Sequence, residues 1–213
     1  MSTPINIEVW SDVVCPWCFI GKRRLQKALA KFPADKFKVK HRAFQLQPDL
    51  SGVVKTSELL AQKYRIEPGQ VSQMQANVCS IADGEGLCYD LSDTESGNTK
   101  DAHRLLLWSA TIGKEDELLE AMYSGYFEKK KSLFTRRDLI AIAAEVGISE
   151  SQVNEVLDSN SYLNQVIEDQ ELARQYGANG VPFFVIDNKY GISGAQPQEA
   201  FDQTLATAFK ERI

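Results

Sequence analysis

Apolar and polar residues alternate near both ends of the chain, which predicts β-strands there. The first alternation covers residues 5–10 and the second covers residues 37–46, with a helical period over residues 15–32 between them. A helix that joins two strands in this way indicates a parallel β-α-β unit with a right-handed crossover. Near the other end, residues 183–186 and 190–194 flank a short Asp-Asn-Lys turn, which predicts a β-hairpin.

The middle of the chain carries mostly helical periods instead. Helices are predicted over residues 56–64, 69–83, 99–112, 116–130, 135–146, 149–159 and 161–176, and a last amphipathic helix over residues 198–210. The order is therefore β-α-β, a helical block, and β-β-α, which predicts an α/β fold with an all-helical insertion. We expect residues 1–55 and 177–213 to form one discontinuous domain and residues 56–176 to form the inserted helical domain.

The composition of the 213-residue chain is that of an ordinary globular protein, with 43% hydrophobic and 25% charged residues. This argues against a disordered, collagen-like or membrane protein. The net charge of −5 argues against a general nucleic-acid binder, which normally presents a basic surface. The first residues have neither the basic nor the apolar region of a secretory signal, so we expect a cytoplasmic protein with no membrane partner.

The candidate chemistry begins with Cys15 and Cys18, three residues apart where the first strand meets the first helix. Positions i and i+3 of a helix are neighbours, so the two sulfurs lie within bridging range. Free N–H groups at the helix start stabilise a thiolate at the first cysteine. Cys15 is therefore the expected exposed nucleophile and Cys18, one turn inward, the expected resolving thiol.

A zinc site and a structural disulfide are the alternatives to redox catalysis for this pair. A zinc site would need Cys79 and Cys88 as its other half, and their spacing is wide for a zinc knuckle. An inert structural disulfide is uncommon in the cytoplasm. Redox catalysis is therefore favoured, and no metal is expected. Cys79 and Cys88 themselves could be an accessory redox pair, a second redox switch or two unrelated core cysteines, with the core interpretation favoured.

Other polar residues carry weaker signals. His103 lies in an apolar helix, where it is either a satisfied core residue or, if the helical block closes over Cys15, a residue of the cleft that tunes the thiolate. His41 falls on the polar phase of the second strand and is expected to be solvated. The basic run at residues 22–24 predicts an exposed helix face that adds positive potential near the thiolate.

A proline also stands directly before the predicted late strand. Because proline cannot donate a hydrogen bond to a sheet, Pro182 either marks a plain turn-to-strand boundary or forms a cis bond that shapes the loop.

A CxxC pair after the first strand, together with a proline before a late hairpin, resembles the thioredoxin superfamily. With the helical block, the pattern looks like its DsbA branch. Three segments resemble the FrnE-like cytoplasmic subgroup: Ser11-Asp-Val-Val-Cys-Pro-Trp-Cys-Phe-Ile-Gly-Lys22, Asn98-Thr-Lys-Asp-Ala-His-Arg-Leu105 and Gly177-Ala-Asn-Gly-Val-Pro-Phe-Phe184. The resemblance covers essentially the whole chain.

The resemblance implies that Pro182 is a cis proline packed against the active-site disulfide and that Val181 offers its backbone to an extended substrate. It also implies a buried acid beneath the cysteines. Glu8 is a candidate for that acid, although a solvent-facing Glu8 is slightly favoured. The candidate substrate-binding residues are Val181, Pro182, Pro16, Trp17 and His103.

The favoured function is a thiol–disulfide oxidoreductase or isomerase that acts on disulfide- or thiol-containing proteins without a cofactor. One alternative is a glutathione-dependent isomerase or transferase related to 2-hydroxychromene-2-carboxylate isomerase, with glutathione as co-substrate. Such relatives usually carry serine at the first cysteine, so two cysteines favour the redox function. The other alternative is a redox-regulated, chaperone-like binding protein. A monomer and a homodimer both stay open.

Overall fold

The structure is a computed structural model that describes residues 3–212. Its strands are β1 (Ile5–Ser11), β2 (Phe37–Ala43), β3 (Val53–Lys55), β4 (Glu95–Gly97), β5 (Phe183–Ile186) and β6 (Tyr190–Ser193). Its α-helices are α1 (Pro16–Leu29), α2 (Thr56–Tyr64), α3 (Pro68–Gly84), α4 (Lys100–Ser109), α5 (Glu115–Lys129), α6 (Arg136–Ala144), α7 (Glu150–Asp158), α8 (Leu163–Gln175) and α9 (Gln198–Lys210). The predicted elements are all present, with boundaries shifted by a few residues.

The two ends of the chain meet in one four-stranded sheet of order β2-β1-β5-β6. Strand β1 pairs in parallel with β2 across the α1 crossover, as predicted, and antiparallel with β5. Asp187 and Asn188 both have positive φ, at 54° and 52°, and the Lys189 N–H donates to the Ile186 carbonyl at 3.0 Å, which closes a tight three-residue turn between β5 and β6. The predicted hairpin is therefore confirmed.

Alternation along β1 gives the sheet two buried faces, because successive side chains of a strand point to opposite sides. Ile5, Ile7 and Val9 pack against residues of α1 and α9 on one face. Trp10 packs on the opposite face against Ala173 of α8. The predicted α/β architecture thus has helices on both sides of its sheet.

The helical block shares a core with the first helix instead of standing apart from it. Phe19 of α1 stacks on Tyr123 of α5, with ring centroids 4.9 Å apart, inside one cluster that also holds Cys15 and Cys18. At the other end of the block, the indole N–H of Trp10 donates to the Asp169 carbonyl of α8 at 2.7 Å. The division into domains at residues 55/56 and 176/177 remains a prediction, and α8 belongs by its packing to the sheet.

A second, two-stranded sheet was not predicted. Strands β3 and β4 pair antiparallel, with Val53 opposite Gly97. Each strand has three residues, which is too short to show an alternating period. Because β3 directly precedes α2 and β4 shortly precedes α4, this small sheet holds the N-termini of the two helices near each other.

The basic run of α1 is not the exposed face that was predicted. The Lys22 side chain is only 6% exposed, and its ammonium lies 2.9 Å from carboxylate oxygens of Asp116 and Glu120. Arg23 pairs with Glu120 as well, while Arg24 pairs with Glu85 at 2.6 Å. The prediction failed because α3 and α5 cover this side of α1 and supply acidic partners that are distant in sequence.

Glu8 is neither solvent-facing nor placed beneath the cysteines. Its carboxylate pairs with Arg42 on the neighbouring strand β2, and both side chains are mostly buried. Arg42 also reaches Asp169 of α8 at 2.7 Å. Glu8 therefore belongs to an ion-pair network that joins the sheet to α8, and the favoured solvent-facing interpretation was wrong.

His41 is also buried, at 7% exposure, instead of solvated. The start of α5 covers this part of β2 and brings Asp116 to 4.0 Å from the imidazole. Burial and, to a smaller extent, Lys22 lower the pKa of His41 to about 4. Burial raises the pKa of the neighbouring Glu115 to about 7.

These two residues predict opposing effects of pH on stability. Because the folded state resists protonation of His41, stability falls as the pH drops from 6.5 toward 4. Because the folded state keeps Glu115 protonated, its contribution is lost as the pH rises from 4.5 toward 7. We expect the free energy of unfolding of Glu115→Gln to gain a positive slope of up to about 1.4 kcal/mol per pH unit relative to the native protein between pH 5 and 6.

Urea unfolding at several pH values measures these slopes, and His41→Gln is the matched variant. It should change the slope in the opposite direction from Glu115→Gln. If the free energy of unfolding changes with pH in the same way for the native protein and both variants, the predicted opposite contributions of His41 and Glu115 are wrong.

Candidate active site

The loop that leaves β1 places the first cysteine at the start of α1. Cys15 is the N-cap residue, with extended backbone angles of φ −92° and ψ 113°, and Pro16 is the first helical residue. The Cys15 N–H donates to the Asp12 carbonyl at 3.1 Å, and the Cys18 N–H donates to the Cys15 carbonyl at 3.0 Å. These bonds form a tight turn, and both cysteines are free thiols.

The loop before β5 lies directly against this turn. The Cys15 thiol donates to the Val181 carbonyl oxygen at 3.6 Å, and the Val181–Pro182 peptide bond is cis. Cys15 is only 4% exposed, so it is not the exposed residue that was predicted. The loop that carries Val181 contributes to this burial, because its carbonyl lies against the sulfur.

The second cysteine lies one turn deeper. Cys18 is 2% exposed, and burial together with a side-chain hydrogen bond to Cys15 raises the pKa of its thiol well above the ordinary value. Two adjacent thiols therefore differ in environment, with the inner one kept protonated. This asymmetry is what an attacking and a resolving cysteine require.

A cavity of about 370 Å³ opens beside Cys15. Its walls come from the cysteine turn, α2, α3 and residues 179–181, and Pro16 and Trp17 lie at its edge. Apolar side chains form most of the lining, among them Leu46, Leu59, Leu60, Met74, Val78 and Leu91. Lys63 is the one charged side chain that lines it within residues 3–212. Of the predicted substrate-binding residues, Pro16, Trp17 and Val181 thus line a common space with Cys15.

His103 lies behind the cysteines and does not line this cavity. It is 1% exposed in α4, and its Nε2 lies 3.3 Å from a carboxylate oxygen of Asp12. The other Asp12 oxygen accepts a hydrogen bond from the Leu46 N–H at 2.7 Å. Asp12 is fully buried and is the acid next to the cysteine turn.

Sequence reasoning missed Asp12, although it stands three residues before Cys15. A single acid in a loop more often caps a helix or faces solvent, so its position alone does not indicate burial. The available signal is the apolar pair Val13 and Val14 that follows it, because a loop with such neighbours packs inside.

The other two cysteines do not share one environment. Cys79 is half-buried on α3 and packs against the core, whereas Cys88 is exposed in the loop that follows. The core interpretation therefore holds for Cys79 and is wrong for Cys88, and the accessory redox pair remains a prediction. Within residues 3–212, no three side chains of the metal-ligating types meet as a metal site.

Comparison with known proteins places this geometry in a family. The family model described as a DSBA-like thioredoxin domain matches residues 6–206. The chain belongs to this family. The predicted resemblance and the predicted fold class are thereby confirmed, and the DsbA-like chain is a thiol–disulfide oxidoreductase in general terms.

The DsbA-like chain is similar to several individual proteins. The probable DsbA oxidoreductase of Streptomyces coelicolor is 40% identical and gives a TM-score of 0.93, over 98% of this chain and 92% of that one. The cytosolic disulfide reductase DsbM of Pseudomonas aeruginosa, solved with GSH, is 18% identical, with a TM-score of 0.68 over 98% and 100% of the two chains. The uncharacterized protein YwbO of Bacillus subtilis is 22% identical over 98% of this chain and 99% of its own.

No helix within residues 3–212 of the DsbA-like chain combines the length and the apolar character needed to cross a bilayer.

A glycine lets α1 approach the proline loop closely. A Cβ atom on Gly21 would lie 3.0 Å from the ring of Phe184 and 3.1 Å from Cγ of Pro182. Phe184 is fully buried and has no room to withdraw. Residue 21 therefore sets the distance between the cysteine helix and Pro182.

We predict that Gly21→Ala destabilises the protein by about 1–2 kcal/mol. Overpacking costs about 1–3 kcal/mol, and the better helix propensity of alanine offsets up to about 1 kcal/mol of this. Chemical denaturation measures the change. Gly84→Ala is the control, because a Cβ there meets nothing within 4 Å. Equal stabilities of the two variants would contradict the close approach.

Proposed function

We propose that the protein exchanges disulfides through Cys15 as the nucleophile and Cys18 as the resolving thiol. One observation carries the proposal: Cys15 lies at the helix start and at the cavity edge, while Cys18 lies buried behind it. The cavity offers a substrate access to the first sulfur and not to the second.

The exchange proceeds in two steps. The Cys15 thiolate attacks one sulfur of a substrate disulfide, forming a mixed disulfide, and the other substrate sulfur leaves as a thiolate that takes up a proton. Cys18 then loses its proton and attacks the Cys15 sulfur, which releases the second substrate thiol. The protein ends with a Cys15–Cys18 disulfide, and two electrons have passed to the substrate. Oxidation of a dithiol substrate follows the same steps in reverse.

The walls of the cavity favour a protein segment with an apolar side chain beside the reacting cysteine. Apolar clefts with few polar groups bind such side chains by removing them from water. The Val181 carbonyl, which the Cys15 thiol occupies in the free protein, is available to an extended substrate backbone once Cys15 reacts. Pro182 holds this loop against Cys15.

Glutathione is a second candidate substrate of the same site. The cytosolic disulfide reductase DsbM was solved with GSH. The Lys63 ammonium at the cavity wall could pair with a glutathione carboxylate. On the basis of the same relative, we also propose that the protein is cytoplasmic. We further propose that its reaction requires no bound cofactor.

The cysteine roles predict different outcomes for two substitutions. Cys15→Ser should reduce the catalysed reduction of insulin disulfides by dithiothreitol to the uncatalysed rate, because a serine hydroxyl does not replace the thiolate. Cys18→Ser should accumulate a mixed disulfide at Cys15, because nothing resolves it. Non-reducing electrophoresis detects the adduct, and peptide mass spectrometry separates Cys15 from Cys79 and Cys88. Full turnover of Cys15→Ser would reject the proposal.

The apolar cavity predicts a preference for substrates with an apolar residue beside the cysteine, and a charge in the cavity wall should abolish that preference. Met74→Lys places an ammonium in the apolar wall, and we expect the KM for a peptide disulfide with leucine beside the cysteine to rise roughly 10-fold. Steady-state kinetics with matched leucine and serine peptides measure the preference. Ala76→Lys adds the same charge to an exposed position of α3 and should leave KM unchanged. Equal KM values for the two variants would place the substrate elsewhere.

A further inference from the structure

A tyrosine from the loop between α3 and β4 reaches into the cysteine turn. The Tyr89 hydroxyl donates a hydrogen bond to the Pro16 carbonyl at 2.8 Å. Its ring stacks on Phe127, with centroids 4.9 Å apart, and on Phe19 at 6.1 Å. These contacts hold the hydroxyl in place, and none of them was indicated by the sequence.

The carbonyl that Tyr89 contacts is one end of a single peptide unit, and the other end is the Trp17 N–H. This N–H donates to no partner in the described part of the chain: its hydrogen points out of the start of α1, where no earlier turn supplies a carbonyl. Pro16 has no N–H, and the Cys18 N–H is already bonded to the Cys15 carbonyl. The Trp17 N–H is therefore the free backbone donor next to the N-cap cysteine.

Loss of the Cys15 proton turns its sulfur from a hydrogen-bond donor into an acceptor. The thiol donates to the Val181 carbonyl at 3.6 Å, and no side-chain capping bond to the first turn is formed. A thiolate cannot donate, so it requires donors instead. An N-cap side chain normally accepts from the N–H groups of the first turn, among which the Trp17 N–H is unoccupied.

A hydrogen bond to one end of an amide strengthens the other end, because the donated bond polarises the whole peptide unit. The bond from Tyr89 to the Pro16 carbonyl therefore makes the Trp17 N–H a better donor. Burial raises the pKa of Tyr89 far above neutral, so the hydroxyl keeps the proton that it donates.

We propose that Tyr89 is a positioning residue that stabilises the Cys15 thiolate through the Pro16–Trp17 peptide. The inference rests on the proposed role of Cys15 as the nucleophile. It assigns to the inserted helical block a direct part in setting the reactivity of the cysteine pair.

Tyr89→Phe tests the inference because it removes the hydroxyl and keeps the stacked ring. The rate of Cys15 alkylation by iodoacetamide is followed against pH, with the modified peptide identified by mass spectrometry. We expect the midpoint of this profile to move upward by about 0.5 pH unit, with about twofold slower alkylation below the midpoint. The plateau rate at high pH should stay equal or rise by up to about 1.7-fold, because a more basic thiolate is a better nucleophile. The reduction potential of the pair should become more negative, because the reduced form loses stabilisation.

Tyr176→Phe is the control. It removes a hydroxyl that donates to Asn188 in the turn after β5, and Tyr176 does not line the cavity beside Cys15. Its alkylation midpoint should equal that of the native protein. An unshifted midpoint in Tyr89→Phe overturns the inference, and so does a lower plateau, which would indicate a displaced loop. If Cys15→Ser keeps full turnover, the proposed function fails instead, whatever Tyr89→Phe shows.

Discussion

The site depends on the antiparallel pairing of β1 with β5. Trp10 lies opposite Phe183 in this ladder, so the chain leaves β1 at the same edge where it enters β5. The cysteine turn and the cis-proline loop are therefore brought together by the sheet, although 166 residues separate Cys15 from Val181. The helical block leaves from and returns to this same edge, because β2 runs parallel to β1 and ends beside it while β5 begins there, and this places the block next to the cysteine turn.

In the proposed reaction, the Cys15 thiolate has to be stabilised by backbone groups and not by the basic side chains of α1. Lys22, Arg23 and Arg24 are each paired with a carboxylate from α3 or α5. Such pairs hold the helical block on α1, but they leave little free positive charge for the sulfur. The first turn of α1 itself contains no acidic residue, so its N–H groups favour a negative charge at Cys15, while the buried Asp12 next to the cysteine turn opposes it.

The sequence predicted the features that depend on local patterns. The CxxC spacing, the proline before Phe183 and the long helical periods all describe neighbours along the chain, and the structure contains them. The failures depend on contacts distant in sequence. His41 and Lys22 have the polarity of surface residues, and only the docking of α5 buries them. Three-residue strands show no period, and the burial of Asp12 depends on Leu46 and His103 around it.

The sheet and the helical block therefore contribute different properties to one site. The proposed chemistry depends on the sheet, because β1, α1 and β5 position Cys15, Cys18 and Val181. The proposed access depends on the block, because α2 and α3 supply walls of the cavity beside the buried Cys15 sulfur. A change of residues in α2 or α3 would alter which disulfides enter while the exchange reaction stays the same. Tyr89 is where the two contributions meet, since a residue of the block contacts the peptide between the cysteines.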